Sequence, residues 1–215
     1  MTKPVVLASS SPRRREILEK TGLKFIVDAA EIYEDHGRRM RPAELAKIIS
    51  LEKAKAVAAR HPGSIIIAAD TFGMLDDRLL GKPCDQEEAR DMLKRMSGRR
   101  HRVITGFTIL DTATGKTVSK AVETRVYFRE LGKEEIAAYA GTGEPLDKAG
   151  AYAIQGLGAQ LVERIEGDYY NVIGLPLSAL AGELNKFGVS LPSGLIPAAP
   201  RIHRLTSPLK RPPVS

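Results

Sequence analysis

An α/β fold is predicted by three stretches of the sequence. Val5-Val6-Leu7-Ala8 is a short apolar run of the kind that forms a buried strand, and Ser9-Ser10-Ser11-Pro12 then turns the chain into a helix. A helical pattern over 42–60 leads into Ser64-Ile65-Ile66-Ile67-Ala68-Ala69, the most buried-looking strand of the chain. Two long strand patterns, 102–110 and 117–128, flank a turn at 111–116 and so predict an antiparallel pair. The 215 residues suffice for one domain or two lobes around a sizeable core.

Composition excludes several classes. A hydrophobic share of 43% and a charged share of 27% are those of a soluble globular protein. No apolar run approaches the roughly 18 residues of a membrane span, and no signal-peptide h-region is evident. The single cysteine, Cys84, excludes an internal disulfide and suits a reducing compartment, and the four histidines show no zinc spacing. The net charge of +7 is uneven, because Arg201, Arg204, Lys210 and Arg211 supply +4 from a segment with no acidic residue. That segment, 192–215, is proline-rich and aperiodic and is expected to be a disordered extension of a folded domain at 1–191. The basic balance is therefore weak evidence for nucleic-acid binding by the folded part.

Along the chain, helix one is expected over 12–20, with Ser11 as N-cap and Pro12 at the first helical position. Its first turn holds Arg13, Arg14 and Arg15 where the helix dipole prefers acids, at a cost of roughly 0.3–1 kcal/mol each unless an anion compensates. Free N–H groups, serine hydroxyls and clustered guanidinium groups describe a polyanion site, most simply for a phosphate chain; the alternative is a solvated basic helix start. A strand over 24–28 and a polar loop over 29–41 follow. In helix two, Leu45, Ile49 and Val57 repeat at four-residue steps, and Lys53 completes the row. Lys53 either snorkels to the edge of the stripe or projects into a polar cleft. Asp70-Thr71 ends the central strand, where open α/β sheets place ligands, so Asp70 is either a strand-end turn residue or a catalytic or metal-binding carboxylate.

A hairpin over 72–80 is expected to turn at Asp76-Asp77 and to deliver Lys82 between Gly81 and Pro83. Helix three starts at Asp85, with Glu88 completing a capping box, and buries Ala89, Met92, Leu93 and Met96. After the two long strands, a short helix is expected over 133–139. The block 143–158, crowded with glycine and alanine, permits close approach of backbone or ligand. Strands over 159–165 and 169–173 and a last helix over 176–187 close the chain. There is no internal repeat, no complete dinucleotide fingerprint and no GxxxxGK[ST] loop.

Ser9-x-Ser11-Pro12-Arg13-Arg14, Lys53-Ala54, Ala69-Asp70-Thr71, Gly81-Lys82-Pro83, the run from Asp147-Lys148-Ala149-Gly150 to Ile154-Gln155-Gly156, and Gly174-Leu175-Pro176 stand in an order that resembles Maf-like nucleotide pyrophosphatases. The resemblance spans nearly the whole chain except the basic tail. It implies an elongated mixed β-sheet with flanking helices, two lobes around a nucleotide-binding cleft, a cytoplasmic location, and metal-dependent cleavage of nucleoside triphosphates to monophosphate and pyrophosphate. Arg13, Thr71 and Gln155 stand in the form typical of the branch acting on dTTP and UTP, rather than the branch acting on 7-methyl-GTP. A carboxamide offers a donor and an acceptor to the N3–H and carbonyl edge shared by uracil and thymine; Gln155 as a core amide is the alternative. Phe72-Gly73 after the ADT motif departs from the family pattern. The family's glutamate aligns with Glu34, with Glu31 close by.

The resemblance then assigns catalysis to Asp70, Lys53 and Lys82, substrate binding to Ser9, Arg13, Arg14, Thr71, Lys148 and Gln155, and a divalent cation, Mg²⁺ or Mn²⁺, to Glu34 and Asp70. Asp70 would orient and deprotonate the attacking water directly or through the metal, and the cations would neutralise charge on the phosphates. The partner expected is a small-molecule nucleoside triphosphate, with no membrane and no nucleic acid for the folded domain; a monomer and a homodimer are both compatible with the sequence. The rivals are the same chemistry on other nucleotides and a nucleic-acid-binding or cell-division regulatory protein, although aromatics at 5% with no Trp leave few stacking platforms.

Overall fold

A computed structural model describes residues 3–29 and 31–192; the proposed extension over 192–215 lies, apart from Pro192, outside them. Among the described residues one mixed sheet of seven strands organises the fold, in the order β2-β1-β3-β5-β6-β7 with β4 also on β3. β1 (Val5–Leu7) runs parallel to β2 (Ile26–Val27) and to β3 (Ile65–Leu75). β4 (Arg78–Leu80), β5 (Arg100–Asp111), β6 (Thr117–Phe128) and β7 (Val162–Glu166) join by antiparallel pairing. The β3–β4 hairpin turns at Asp76 and Asp77, both at positive φ, as the sequence predicts.

Alternation along the strands divides the core between the two faces of the sheet. Val6, Ala8, Ile66 and Ala68 pack with Ala54 and Val57 of α2 (Pro42–Ala58), and Phe72, Met74 and Ile104 pack with its Leu45, Ala46 and Ile49. Val5, Leu7, Ile65, Ile67 and Ala69 face the larger cluster, which takes in α1 (Pro12–Glu19), α3 (Gln86–Met96), α4 (Lys133–Gly141), α5 (Tyr169–Ile173) and α6 (Leu177–Leu184). α2 lies close against the sheet. A Cβ on Gly106, the residue paired with Asp70, would sit 2.2 Å from the carbonyl of Ala46, so only glycine permits this approach.

Two expectations are corrected. The central strand does not end at Asp70-Thr71: β5 pairs with it from Ile65 to Met74, so both residues lie mid-strand, just past the segment that pairs with β1. Residues 169–173 form a helix rather than a strand, because the Asp168 carboxylate accepts hydrogen bonds from the N–H groups of Tyr170 (2.7 Å) and Asn171 (3.3 Å) and starts a helical turn. The last strand accordingly shortens to Val162–Glu166, preceded by a 3₁₀ turn over Gly156–Leu161. Among the described residues, no helix is long and apolar enough to cross a membrane.

Candidate active site

Mid-strand placement sends two adjacent side chains to opposite faces of the sheet. Asp70 points toward α2 and is only 3% exposed. Its Oδ1 accepts from Lys53 Nζ at 2.8 Å and its Oδ2 from His36 Nε2 at 3.0 Å. Lys53 also reaches Glu34 Oε2 at 2.9 Å, so one ammonium bridges two carboxylates from the apolar stripe of α2. Lys53 is thus largely buried and turned to these two carboxylates rather than to solvent. Burial acts to raise the pKa of Asp70, but the His36 hydrogen bond and the Lys53 charge outweigh it and hold the carboxyl well below the usual range. The same hydrogen bond raises the pKa of His36 against the opposing effect of burial. His36 is steadied by an edge-on contact with Phe72, ring centroids 5.6 Å apart. The scattered histidines carried no spacing signal, so sequence reasoning missed this residue; its loop is placed only by the fold.

Thr71 points the other way, into hydrogen bonds that are all internal. Arg14 donates from Nε to the Gly174 carbonyl (2.8 Å), from Nη1 to Ser9 Oγ (3.2 Å) and from Nη2 to Thr71 Oγ1 (3.0 Å). Thr71 Oγ1 lies 2.9 Å from Thr105 Oγ1, and Thr105 donates to the Asn171 carbonyl at 2.9 Å. Burial pushes the pKa of Arg14 down, opposed by Asp70 and Glu34, and a guanidinium remains charged under that pressure. Ser11 caps α1, accepting at Oγ from Arg14 N. The three arginines of this turn thus differ. Arg14 ties the serine turn after β1 to β3 and to the turn after α5, Arg13 lines the cavities, and Arg15 is exposed and pairs with Glu19.

Two cavities adjoin at these residues. One, of 520 Å³, contains Ser9, Glu34, Lys53 and Asp70; the other, of 270 Å³, contains Phe72, Tyr152, Ile154 and Gln155. They share a wall made by Arg13, Arg14, Thr71, Lys82 and Lys148, the last paired with Asp147. All ten residues singled out from the sequence line one cavity or both. The larger is polar and cationic around one buried carboxylate, which suits a phosphate chain. The smaller combines apolar walls with a carboxamide, which suits a flat heterocycle. Glu34, His36 and Asp70 each offer a ligand atom, all within 4.8 Å of one another, a donor set of two carboxylate oxygens and one imidazole nitrogen that fits a divalent cation.

The Maf-like protein family matches residues 4–187 of this chain. A dTTP/UTP pyrophosphatase of Methanosarcina barkeri is 48% identical over 190 residues, 88% of this chain and 96% of that protein. Those of Pelotomaculum thermopropionicum and Dictyoglomus turgidum are each 45% identical, over 88% and 89% of this chain and 99% and 100% of their own lengths.

Proposed function

The chain belongs to the Maf-like protein family, and from that premise we propose that it hydrolyses dTTP and UTP to the nucleoside monophosphate and pyrophosphate. The observation that supports the assignment to this site is the pair of adjoining cavities, one polar and cationic and one apolar with a carboxamide, with Arg13, Lys82 and Lys148 on the shared wall. The two cavities are read as one nucleotide cleft between two lobes of a domain ending near residue 191, acting on the nucleotide pool of the cytoplasm.

In this reading Asp70 orients the attacking water toward the α-phosphorus. With Lys53 and His36 both on its carboxylate, Asp70 is a poor proton acceptor. A triphosphate entering the larger cavity offers Lys53 new anionic partners; when Lys53 turns to them, one oxygen of Asp70 is freed and its basicity rises. Lys82, Arg13 and Lys148 neutralise charge on the α-phosphate and the departing pyrophosphate. Arg14 binds less by direct contact than by holding Ser9, Thr71 and the Gly174 carbonyl as a fixed wall. Glu34, Asp70 and His36 would hold the divalent cation, which when bound screens phosphate charge and lowers the pKa of coordinated water. Gln155 reads the N3–H and carbonyl edge of the base.

Incubation with a panel of nucleoside triphosphates plus Mg²⁺ or Mn²⁺, following pyrophosphate release, tests the assignment. UTP and dTTP should be turned over in preference to CTP and the purine nucleotides; preference for 7-methyl-GTP or a purine would overturn it.

A further inference from the structure

We propose that Glu144, braced by Tyr139, is a positioning residue for pyrimidine selection: it locks the backbone on either side of Gln155. The inference rests on the reading that Gln155 recognises the base. Glu144 stands at the start of the 3₁₀ turn Glu144–Asp147 and lines neither cavity. Its Oε1 accepts from the N–H of Gly158 at 3.0 Å and from the Tyr139 hydroxyl at 2.9 Å, and its Oε2 accepts from the N–H of Leu157 at 3.2 Å. The same Tyr139 hydroxyl accepts from the N–H of Ala153 at 3.3 Å. Gln155 and Gly156 are thus suspended between Ala153 on one side and Leu157 and Gly158 on the other, and a single carboxylate–phenol pair fixes all three attachment points.

The loop is shaped around this carboxylate. Gly156 has φ +75°, and a Cβ there would lie 2.8 Å from Glu144 Oε2; a Cβ on Gly158 would lie 2.5 Å from the Tyr139 hydroxyl and 2.4 Å from the Ala153 carbonyl. Both glycines let the backbone close onto Glu144 and Tyr139. Two charge-assisted bonds to consecutive N–H groups fix the direction of a peptide more firmly than neutral contacts do. A carboxamide discriminates uracil from cytosine only if its donor and acceptor meet the right atoms, because N3 and the 4-substituent reverse their hydrogen-bonding sense between the two bases. Loosening the loop should therefore relax selection more than it slows the chemistry at Asp70.

The test compares kcat/KM for UTP and CTP in Glu144→Gln, Tyr139→Phe and Gln155→Ala, with thermal unfolding of each. Glu144→Gln keeps the shape but replaces one acceptor oxygen by a donor, and should cut the UTP-over-CTP ratio about tenfold, mainly through KM for UTP. Tyr139→Phe removes one brace and should cut it about threefold while folding normally. The double variant Glu144→Gln, Gln155→Ala should select no worse than Gln155→Ala alone, since both act on one contact. An equal loss on both nucleotides, leaving the ratio intact, would show a merely structural role and overturn the inference. If Gln155→Ala selects normally, the assigned role of Gln155 fails and takes this inference with it; if only Gln155→Ala loses selection, the positioning role alone falls.

Discussion

Asp70 and Thr71 are neighbours on β3, yet the two faces they look onto are built on opposite principles. On the α2 face, Asp70, Lys53, Glu34 and His36 form a chain of alternating charge in which each group has an exchangeable partner. On the other face, Thr71, Arg14, Thr105 and the Gly174 carbonyl form a network directed at fixed backbone and hydroxyl atoms. The first arrangement can reorganise when an anion or a cation arrives; the second cannot without unpairing buried groups. Chemistry is expected from the exchangeable side and shape from the fixed one.

The exchangeable side is disrupted most by Asp70→Asn, which keeps volume and removes the charge. Turnover should fall by about 10³-fold or more with the fold retained, measured as pyrophosphate release alongside thermal unfolding. Arg14→Met should act oppositely, destabilising by about 3 kcal/mol in denaturant titration because Gly174 O, Ser9 and Thr71 lose a common donor.

These two residues also show where sequence reading ends. Ser11, Pro12, Asp85 and the Asp76-Asp77 turn were legible because caps and turns are local: the deciding partner lies within three or four residues. The role of Arg14 was not, since its Nε partner is 160 residues away and a first-turn arginine looks like a phosphate clamp whether or not its donors are used internally. Asp70 stands out in the sequence, but its mid-strand setting does not, because a polar pair after an apolar run resembles a strand end until β5 is known to pair past it. Residues 169–173 look like a strand by β-propensity, and the Asp168 cap decided otherwise. His36 needed the fold to bring its loop to Asp70.

His101 sharpens the fixed side further. It is 2% exposed, its Nε2 lies 2.7 Å from the Tyr152 hydroxyl, and it meets Phe128 and Tyr152 edge-on. Burial pushes its pKa down to about 4, below the ordinary 6.5. Between those values the unfolded chain binds the extra proton and the folded one does not, so stability is full above about pH 6.5 and falls as pH drops toward 4, by up to about 3 kcal/mol. Denaturant melts across that range should show the slope, and His101→Gln should flatten it. The smallest effect is expected at His36: His36→Ala should weaken Mn²⁺ binding about tenfold, read from the paramagnetic resonance of free Mn²⁺, and Mg²⁺ binding less, because imidazole suits the softer ion.

The most direct test follows oxygen rather than rate. UTP is hydrolysed in water labelled with heavy oxygen, and the products are weighed by mass spectrometry in the wild type and in Asp70→Asn. The label should enter UMP alone in the wild type, with UTP still bound but uncleaved by the variant. Label in pyrophosphate or free phosphate, or undiminished label transfer by Asp70→Asn, would contradict attack at the α-phosphorus by a water that Asp70 directs.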